Sequence, residues 1–227
     1  MSFLQKIAHN IWTVPQPLAV FGFIHLQTRM TVIQTNDKEI ILHSSIRYNS
    51  NLAKEIDSVG KIKYIIAPNN FHHLFAGEWC SHYPEAELIA PKGLAKKRPD
   101  LPITTFAAEI APDHPIRKTL DIIVLQGVPV VQESLFYHKE SQTLIVTDTF
   151  FYLPESTGFT SFYASLNSVK KQIYTPLLFL VSIKDKSKLL ESLQILRELP
   201  IEHVSLCHHA IVSTNAKAQI TAALDKL

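Results

Sequence analysis

The chain has 227 residues, is 46% hydrophobic and 19% charged, and carries a formal net charge of +2. It can therefore bury a sizeable core, is not a disordered chain, and is not basic enough to argue for nucleic acid. Two distant cysteines, Cys80 and Cys207, exclude a disulfide framework and a thiolate cluster, and the six glycines form no G-x-G-x-x-G fingerprint, no G-K-[ST] phosphate loop and no G-x-S-x-G nucleophile elbow.

The opening MSFLQKIAHNIWTV mixes Lys6, His9 and Asn10 into apolar residues and has no secretory pattern. Ile11–Val14, Ala19–Leu26, Arg29–Gln34 and Lys38–His43 read as strands, the last two joined as a hairpin at Asn36-Asp37. Asn51–Val59 reads as a helix with Leu52, Ile56 and Val59 on one face, stopped by Gly60. The pattern then alternates: strand Ile62–Ala67, helix His72–Tyr83, strand Glu87–Ala90, and a helix over Pro91–Lys97 with proline in its first turn. Leu120–Gln126, Ser134–His138 and Thr143–Thr147 read as strands. A helix follows over Asp185–Leu199, then a strand at His203–Leu206 and a helix over Thr214–Leu227. The longest apolar run, Tyr174–Ile183, is broken by Pro176 and is about half the roughly twenty residues that a membrane span needs. The expectation is one domain over residues 1–227, soluble and cytoplasmic, not membrane-bound, built as two packed sheets with helices outside.

Histidines stand out by position among the eleven in the chain. His72-His73 follows the strand Ile62–Ala67, Asp148 follows Thr143–Thr147, and His208-His209 follows His203–Leu206. Loops at the carboxyl ends of strands converge where layered α/β proteins bind ligands. Imidazole nitrogens and a carboxylate brought together there suit one divalent metal, zinc or iron, with an open position at which water is activated. A lone histidine at a strand end is usually a surface or hydrogen-bonded group, and it is the repetition of the pattern that favours a site.

The segments IAPNNFHHLFAGEW, TLIVTDTFF and VSLCHHAIV, in this order, resemble the metallo-β-lactamase fold superfamily over roughly residues 10 to 215. They resemble more narrowly a branch with a degenerate H-x-H-x-D-H motif. The resemblance implies a four-layer αββα sandwich of two mixed sheets, an α/β (α+β) class. Aligning the motif's closing D-H with His72-His73 puts Pro68 and Asn70 where its first two histidines belong, and Val128 near the place of the next. One metal position is thus emptied, and the resemblance implies a mononuclear site of His72, His73, Asp148 and His208, with His209 the alternative ligand to His208. His209 stands in place of a glycine, and His43 in ILHSS stands where many members carry an aspartate. Glu133 and His209 are the candidates for a general base, and Asp148 and Glu133 the acidic groups expected at the chemistry.

Phe71, Leu74, Phe75 and Trp79, with Phe150, Phe151 and Tyr152, either wall a pocket or are plain core. The lysines around Lys92–Arg98 and Lys184–Lys188 read as solvated surface, so no nucleic acid is expected. Cys207 is either a thiolate ligand or buried packing. The leading function is a metal-dependent hydrolase of a small ester- or thioester-type substrate. The alternative is a non-catalytic metal- or ligand-binding relative of the same fold, and a third reading is oxidative chemistry at a non-haem iron.

Overall fold

The computed structural model of the chain describes residues 2–20, 24–208 and 210–227. A first sheet has the spatial order β1 to β7: β1 (Gln5–Ala8), β2 (Ile11–Val20), β3 (Ile24–Gln34), β4 (Glu39–His43), β5 (Lys61–Ile66), β6 (Glu87–Ala90) and β7 (Ile103–Phe106). It is antiparallel from β1 to β4 and parallel from β4 to β7. The second sheet is ordered β12-β11-β10-β9-β8, with β8 (Leu120–Val124), β9 (Ser134–His138), β10 (Thr143–Val146), β11 (His203–Leu206) and β12 (Ile211–Val212). Within it only β10 and β11 run parallel. The helices are α1 (Ser50–Val59), α2 (Ala76–His82), α3 (Lys92–Lys97), α4 (Gly158–Leu166), α5 (Leu177–Ser182), α6 (Lys186–Leu193) and α7 (Ala216–Leu224). Among the described residues no helix is long and apolar enough to cross a membrane.

The period-two alternation of strand side chains produces the layers. Ile41, Tyr64, Ile66 and Ile89 of the first sheet meet Leu120, Phe136 and Ile145 of the second in one buried cluster. The intervening residues Ile40, Leu42, Ile65 and Leu88 turn the other way, onto Leu52 and Ile56 of α1, Trp79 of α2 and Leu94 of α3. On the outer face of the second sheet, Leu144, Val146, Val204 and Leu206 pack on Leu189 and Leu193 of α6 and Ile220 and Leu224 of α7. The expected two-sheet αββα sandwich is what the chain adopts.

The departures from expectation have physical reasons. The segments Ile11–Val14 and Ala19–Leu26 are parts of one long β2–β3 pair, although Phe21–Phe23 in its middle lie outside the described residues. Pro15 and Pro17 are tolerated because β1 pairs only as far as Thr13, so these alternate positions sit on an edge and forgo no ladder bond. The helix expected over His72–Tyr83 begins only at Ala76, because Asn69 Oδ1 accepts from the backbone N–H groups of Phe71 and His72, both at 2.8 Å, and holds a turn there instead. The helix expected over Asp185–Leu199 ends at Leu193 and tightens into a 3-10 turn, Gln194–Arg197. There the Lys217 ammonium donates to the carbonyls of Leu196, Arg197 and Leu199 and satisfies the helix-end acceptors. Strands β1, β7 and β12 and helices α4 and α5 were not expected at all.

Candidate metal centre

Parallel pairing gathers the site. β4 and β5 run parallel in one sheet and β10 and β11 in the other, so the segments leaving all four strands emerge at carboxyl ends. His72 leaves β5, Asp148 leaves β10, His208 leaves β11, and Ser44 follows His43 at the end of β4. β3 runs opposite to β4, which brings Gln27, Thr28 and Arg29 to the same edge.

Three of the expected residues meet. His72 Nε2 lies 3.4 Å and His208 Nε2 lies 3.6 Å from the same atom, Asp148 Oδ1, and the two imidazole centroids are 5.2 Å apart. The other atoms of these groups are held by the chain. His208 Nδ1 is 3.3 Å from the Gln27 carbonyl, which can only accept, so that nitrogen carries the proton. His72 Nδ1 is 2.8 Å from Ser44 Oγ. Asp148 Oδ2 accepts from Asn69 Nδ2 at 2.7 Å, and the same amide donates to Thr147 Oγ1. Cys207 Sγ lies 3.4 Å from His72 Nδ1, and one ligand atom each from His72, Cys207 and His208 lie within 4.8 Å of one another. Cys207 Sγ also contacts Thr28 Oγ1 and Ser44 Oγ, and in its thiol form it donates to the Arg29 carbonyl.

The electrostatics follow from burial and pairing. Burial opposes charge on His72, but the neighbouring Cys207 and Asp148 outweigh it and raise its pKa well above 6.5. Burial likewise opposes the Cys207 thiolate, yet His72 and His208 bring it down to about 5. Against the same burial cost, the two imidazoles hold Asp148 well below the usual carboxylate range.

His73 is turned elsewhere. It lines the same cleft, but its Nδ1 is 3.1 Å from Arg98 Nη1, and a guanidinium only donates, so the nitrogen is an acceptor. Burial, then Lys97 and Arg98, lower its pKa to about 4. Glu133, expected as a base, is fully buried and does not line the cleft. Its Oε1 accepts from Thr147 N, Thr147 Oγ1 and Asp148 N, and its Oε2 from Asp148 N and Thr149 Oγ1. Glu133 is a clasp on the loop that presents Asp148. Burial and the charge of Asp148 push its pKa up to about 7. His209 lies outside the described residues. Asn70 bonds the Val130 carbonyl through Nδ2 and the Val131 carbonyl through its backbone N–H, and the Pro68 carbonyl accepts from Ser134 N, so these two positions tie β5 to the loop before β9.

Asn69, Ser44 and Gln27 were missed. An asparagine two residues before the bonded N–H is a turn signal that sequence reading could have used for Asn69. Gln27 acts through its carbonyl, for which no side-chain signal exists.

Above this cluster opens a cleft of about 510 Å³ whose walls include Leu26, Phe71, Phe75, Val131, Phe151 and Phe179. The aromatic residues that were read as wall or core divide accordingly: Phe71, Phe75 and Phe151 line the cleft, while Trp79 and Phe150 are core.

Residues 8–158 match the model of a family described as a domain of unknown function, DUF4336. No curated protein sequence matches the chain. Solved structures do. The DIM-1 metallo-β-lactamase exposed to ceftazidime is 13% identical, with a TM-score of 0.66 over 98% of this chain and 96% of that one. A metallo-β-lactamase from Pontibacter korlensis is 11% identical, with a TM-score of 0.64 over 99% of each chain. The metal-soaked Flv1 flavodiiron core from Synechocystis sp. PCC6803 is 12% identical, with a TM-score of 0.65 over 98% of this chain but only 60% of that one.

Proposed function

Given that the chain belongs to the DUF4336 family and has the metallo-β-lactamase fold, we propose that it is a metal-dependent hydrolase of an ester- or thioester-type small substrate, with one divalent cation held by His72, Asp148 and His208. The observation that carries this reading is the pair of imidazole Nε2 atoms aimed at a single carboxylate oxygen. With its Nδ1 proton on the Gln27 carbonyl, His208 turns Nε2 to Asp148 Oδ1, so two lone-pair-bearing atoms face each other. Two lone pairs face each other stably only when a proton or a cation lies between them. Against burial, Cys207 first and Asp148 after it raise the pKa of His72, so a positive charge is favoured beside these groups. Two imidazoles and a carboxylate form a donor set of charge −1 that suits zinc or iron, and a Cys207 thiolate beside His72 makes the surroundings softer still.

When bound, such a cation polarises a substrate carbonyl and lowers the pKa of water. The chain's own residues do the positioning. The Gln27 carbonyl and Ser44 Oγ fix the ring orientations of His208 and His72, Asn69 fixes the Asp148 carboxylate, and Glu133 fixes the loop that carries it. Such outer partners typically govern metal affinity by about 10- to 100-fold. The apolar cleft excludes water around the reacting group and strengthens each of these interactions.

Elemental analysis of protein purified without added metal tests the reading, together with turnover of a generic aryl ester. About one equivalent of zinc or iron is expected. Asp148→Ala or His208→Ala should lose both metal and turnover, while Asn69→Ala should weaken metal binding about 10- to 100-fold. A metal-free protein whose melting temperature does not respond to zinc or iron would overturn the proposal.

One observation favours the second reading, a non-catalytic metal- or ligand-binding relative. Both Glu133 oxygens are engaged, and Asp148 is the only carboxylate lining the cleft among the described residues, so no second carboxylate is on hand as a base. Metal binding without turnover of any ester or thioester would establish it.

A further inference from the structure

The polarity of the cleft is inverted relative to an ordinary solvent-facing site. Its polar groups, Thr28, Ser44, His72, Asp148 and His208, are linked through the contacts described above and lie at its buried end. Its apolar residues continue to the surface. Leu74, Leu178 and Val181 line it while 61%, 73% and 65% exposed, and Phe71 and Val130 are about half exposed. Contiguous apolar surface at the mouth of a cavity marks a place where an apolar ligand or partner is taken up. The other polar lining residues are Ser45, His73, Tyr163, Ser182 and Lys184, against twelve apolar ones. A peptide, sugar or nucleotide would leave its own hydrogen-bonding groups unsatisfied along such walls, at a cost of about 1–3 kcal/mol each. An alkyl chain would leave none.

We infer that the cleft binds a single-chain acyl ester or thioester, with the hydrocarbon along the apolar walls and the carbonyl at the cluster of His72, Asp148 and His208. The inference names a substrate class for the proposed hydrolase site. It rests on that reading for the reaction of the carbonyl, but not for the binding of the chain. Hydrolysis there adds water to the acyl carbon and breaks its bond to the alcohol oxygen or thiol sulfur. The departing group takes a proton and a carboxylate is released. The mouth is formed in part by α5, whose first backbone N–H is tied to Asn167 Oδ1 at the end of α4. α4 itself exposes Phe162 and Leu166, so the apolar rim extends beyond the cleft. The acyl chain can therefore come from a dissolved ester or from a lipid bilayer.

The test is displacement of a fluorescent fatty acid from EDTA-treated protein by butyrate, octanoate and dodecanoate. Affinity should rise about fourfold per added methylene until the cleft is filled. Leu178→Asp and Val181→Asp, both on exposed positions of α5, should weaken dodecanoate at least about tenfold and leave butyrate unchanged. Ile195→Asp, exposed in the 3-10 turn after α6, should change neither. Equal affinity along the series would overturn the inference, and so would α5 variants that keep the wild-type far-UV spectrum and bind dodecanoate as before. Chain-dependent binding without turnover of any ester would sink the hydrolase reading and leave the acyl-binding cleft standing. Equal kcat/KM for acetyl and dodecanoyl esters, together with flat binding, would do the reverse. If the protein co-sediments with phosphatidylglycerol vesicles and Phe162→Asp abolishes this, the chain is drawn from a bilayer. Chain-dependent binding without co-sedimentation assigns it to a dissolved ester.

Discussion

His43 ends β4 with its ring fully buried against Phe136, the centroids 5.2 Å apart, and neither ring nitrogen has a hydrogen-bond partner among the described residues. One of those nitrogens must carry a proton, so a buried donor goes unsatisfied. Replacing such a group by an apolar residue of similar size is neutral or favourable. His43→Leu should therefore stabilise the protein by about 1 kcal/mol, read as a rise in the urea midpoint. A fall would mean that the ring holds a group of its own. Glu133 is the opposite case, because its two oxygens satisfy donors from Thr147, Asp148 and Thr149. Glu133→Ala should cost at least about 4 kcal/mol, since it orphans four donors at about 1–3 each. A residue acting only as a base would leave the midpoint unchanged. The strand-end positions of His72, Asp148 and His208 were legible in the sequence because the alternation of apolar strands shows where each strand stops. What the sequence could not show is ring orientation, which here depends on a backbone carbonyl at Gln27 and on the hydroxyl of Ser44. His73 illustrates the gap: its neighbour Arg98 comes from the segment after α3 and turns it from the expected ligand role into a hydrogen-bond acceptor.

At the scale of elements, the loop from β8 to β9 meets the chain entering α6 at Gly127. Its φ is +76, and its carbonyl accepts from the N–H groups of Lys184 and Asp185. A Cβ built there would sit 2.0 Å from the Asp185 carbonyl oxygen, so both the conformation and the close approach demand glycine. Gly127→Ala should destabilise by about 2 kcal/mol or more, measured by urea unfolding. It should lower metal affinity much less than Asn69→Ala does, because Gly127 bonds Lys184 and Asp185 and not His72, Asp148 or His208, whereas Asn69 holds the Asp148 carboxylate. The buried strands were the most legible elements: Glu87–Ala90, Ser134–His138 and His203–Leu206 coincide with β6, β9 and β11, since an apolar run bounded by polar turns has one reading at that length. Helices α4 and α5 were illegible for the reason that makes them interesting. Sequence reading finds a helix by its polar outer face, and these two expose Phe162, Leu166, Leu177, Leu178 and Val181 instead.

At the scale of the whole molecule, several buried imidazoles link stability to pH. His43, His73 and His138 have pKa values brought down to about 3, 4 and 4 respectively, chiefly by burial. In the unfolded chain each titrates near 6.5. Below that value the unfolded state takes up protons that the native state refuses. Their contribution to stability is thus complete above about pH 6.5 and is lost as the pH falls towards 4. His72 and Glu133 have the opposite sign, because their native pKa values are raised: the stability they add is present at low pH and lost as the pH rises through those raised values. Both belong to the Asp148 cluster, so a bulk pH profile mixes the two groups. His138 offers a clean separation. It lies at the end of β9, its Nδ1 is 2.7 Å from Ser141 Oγ, and the charged groups acting on it are Glu140 and His9, none of them in the cleft. His138→Gln keeps a polar side chain but cannot protonate. Between pH 7.5 and 4.5 the wild type should therefore lose more stability than the variant, and the two urea-midpoint curves should converge as the pH falls. Parallel curves over that range would mean that the His138 ring is protonated in the folded protein, and that its packing between the sheets is looser than its burial implies.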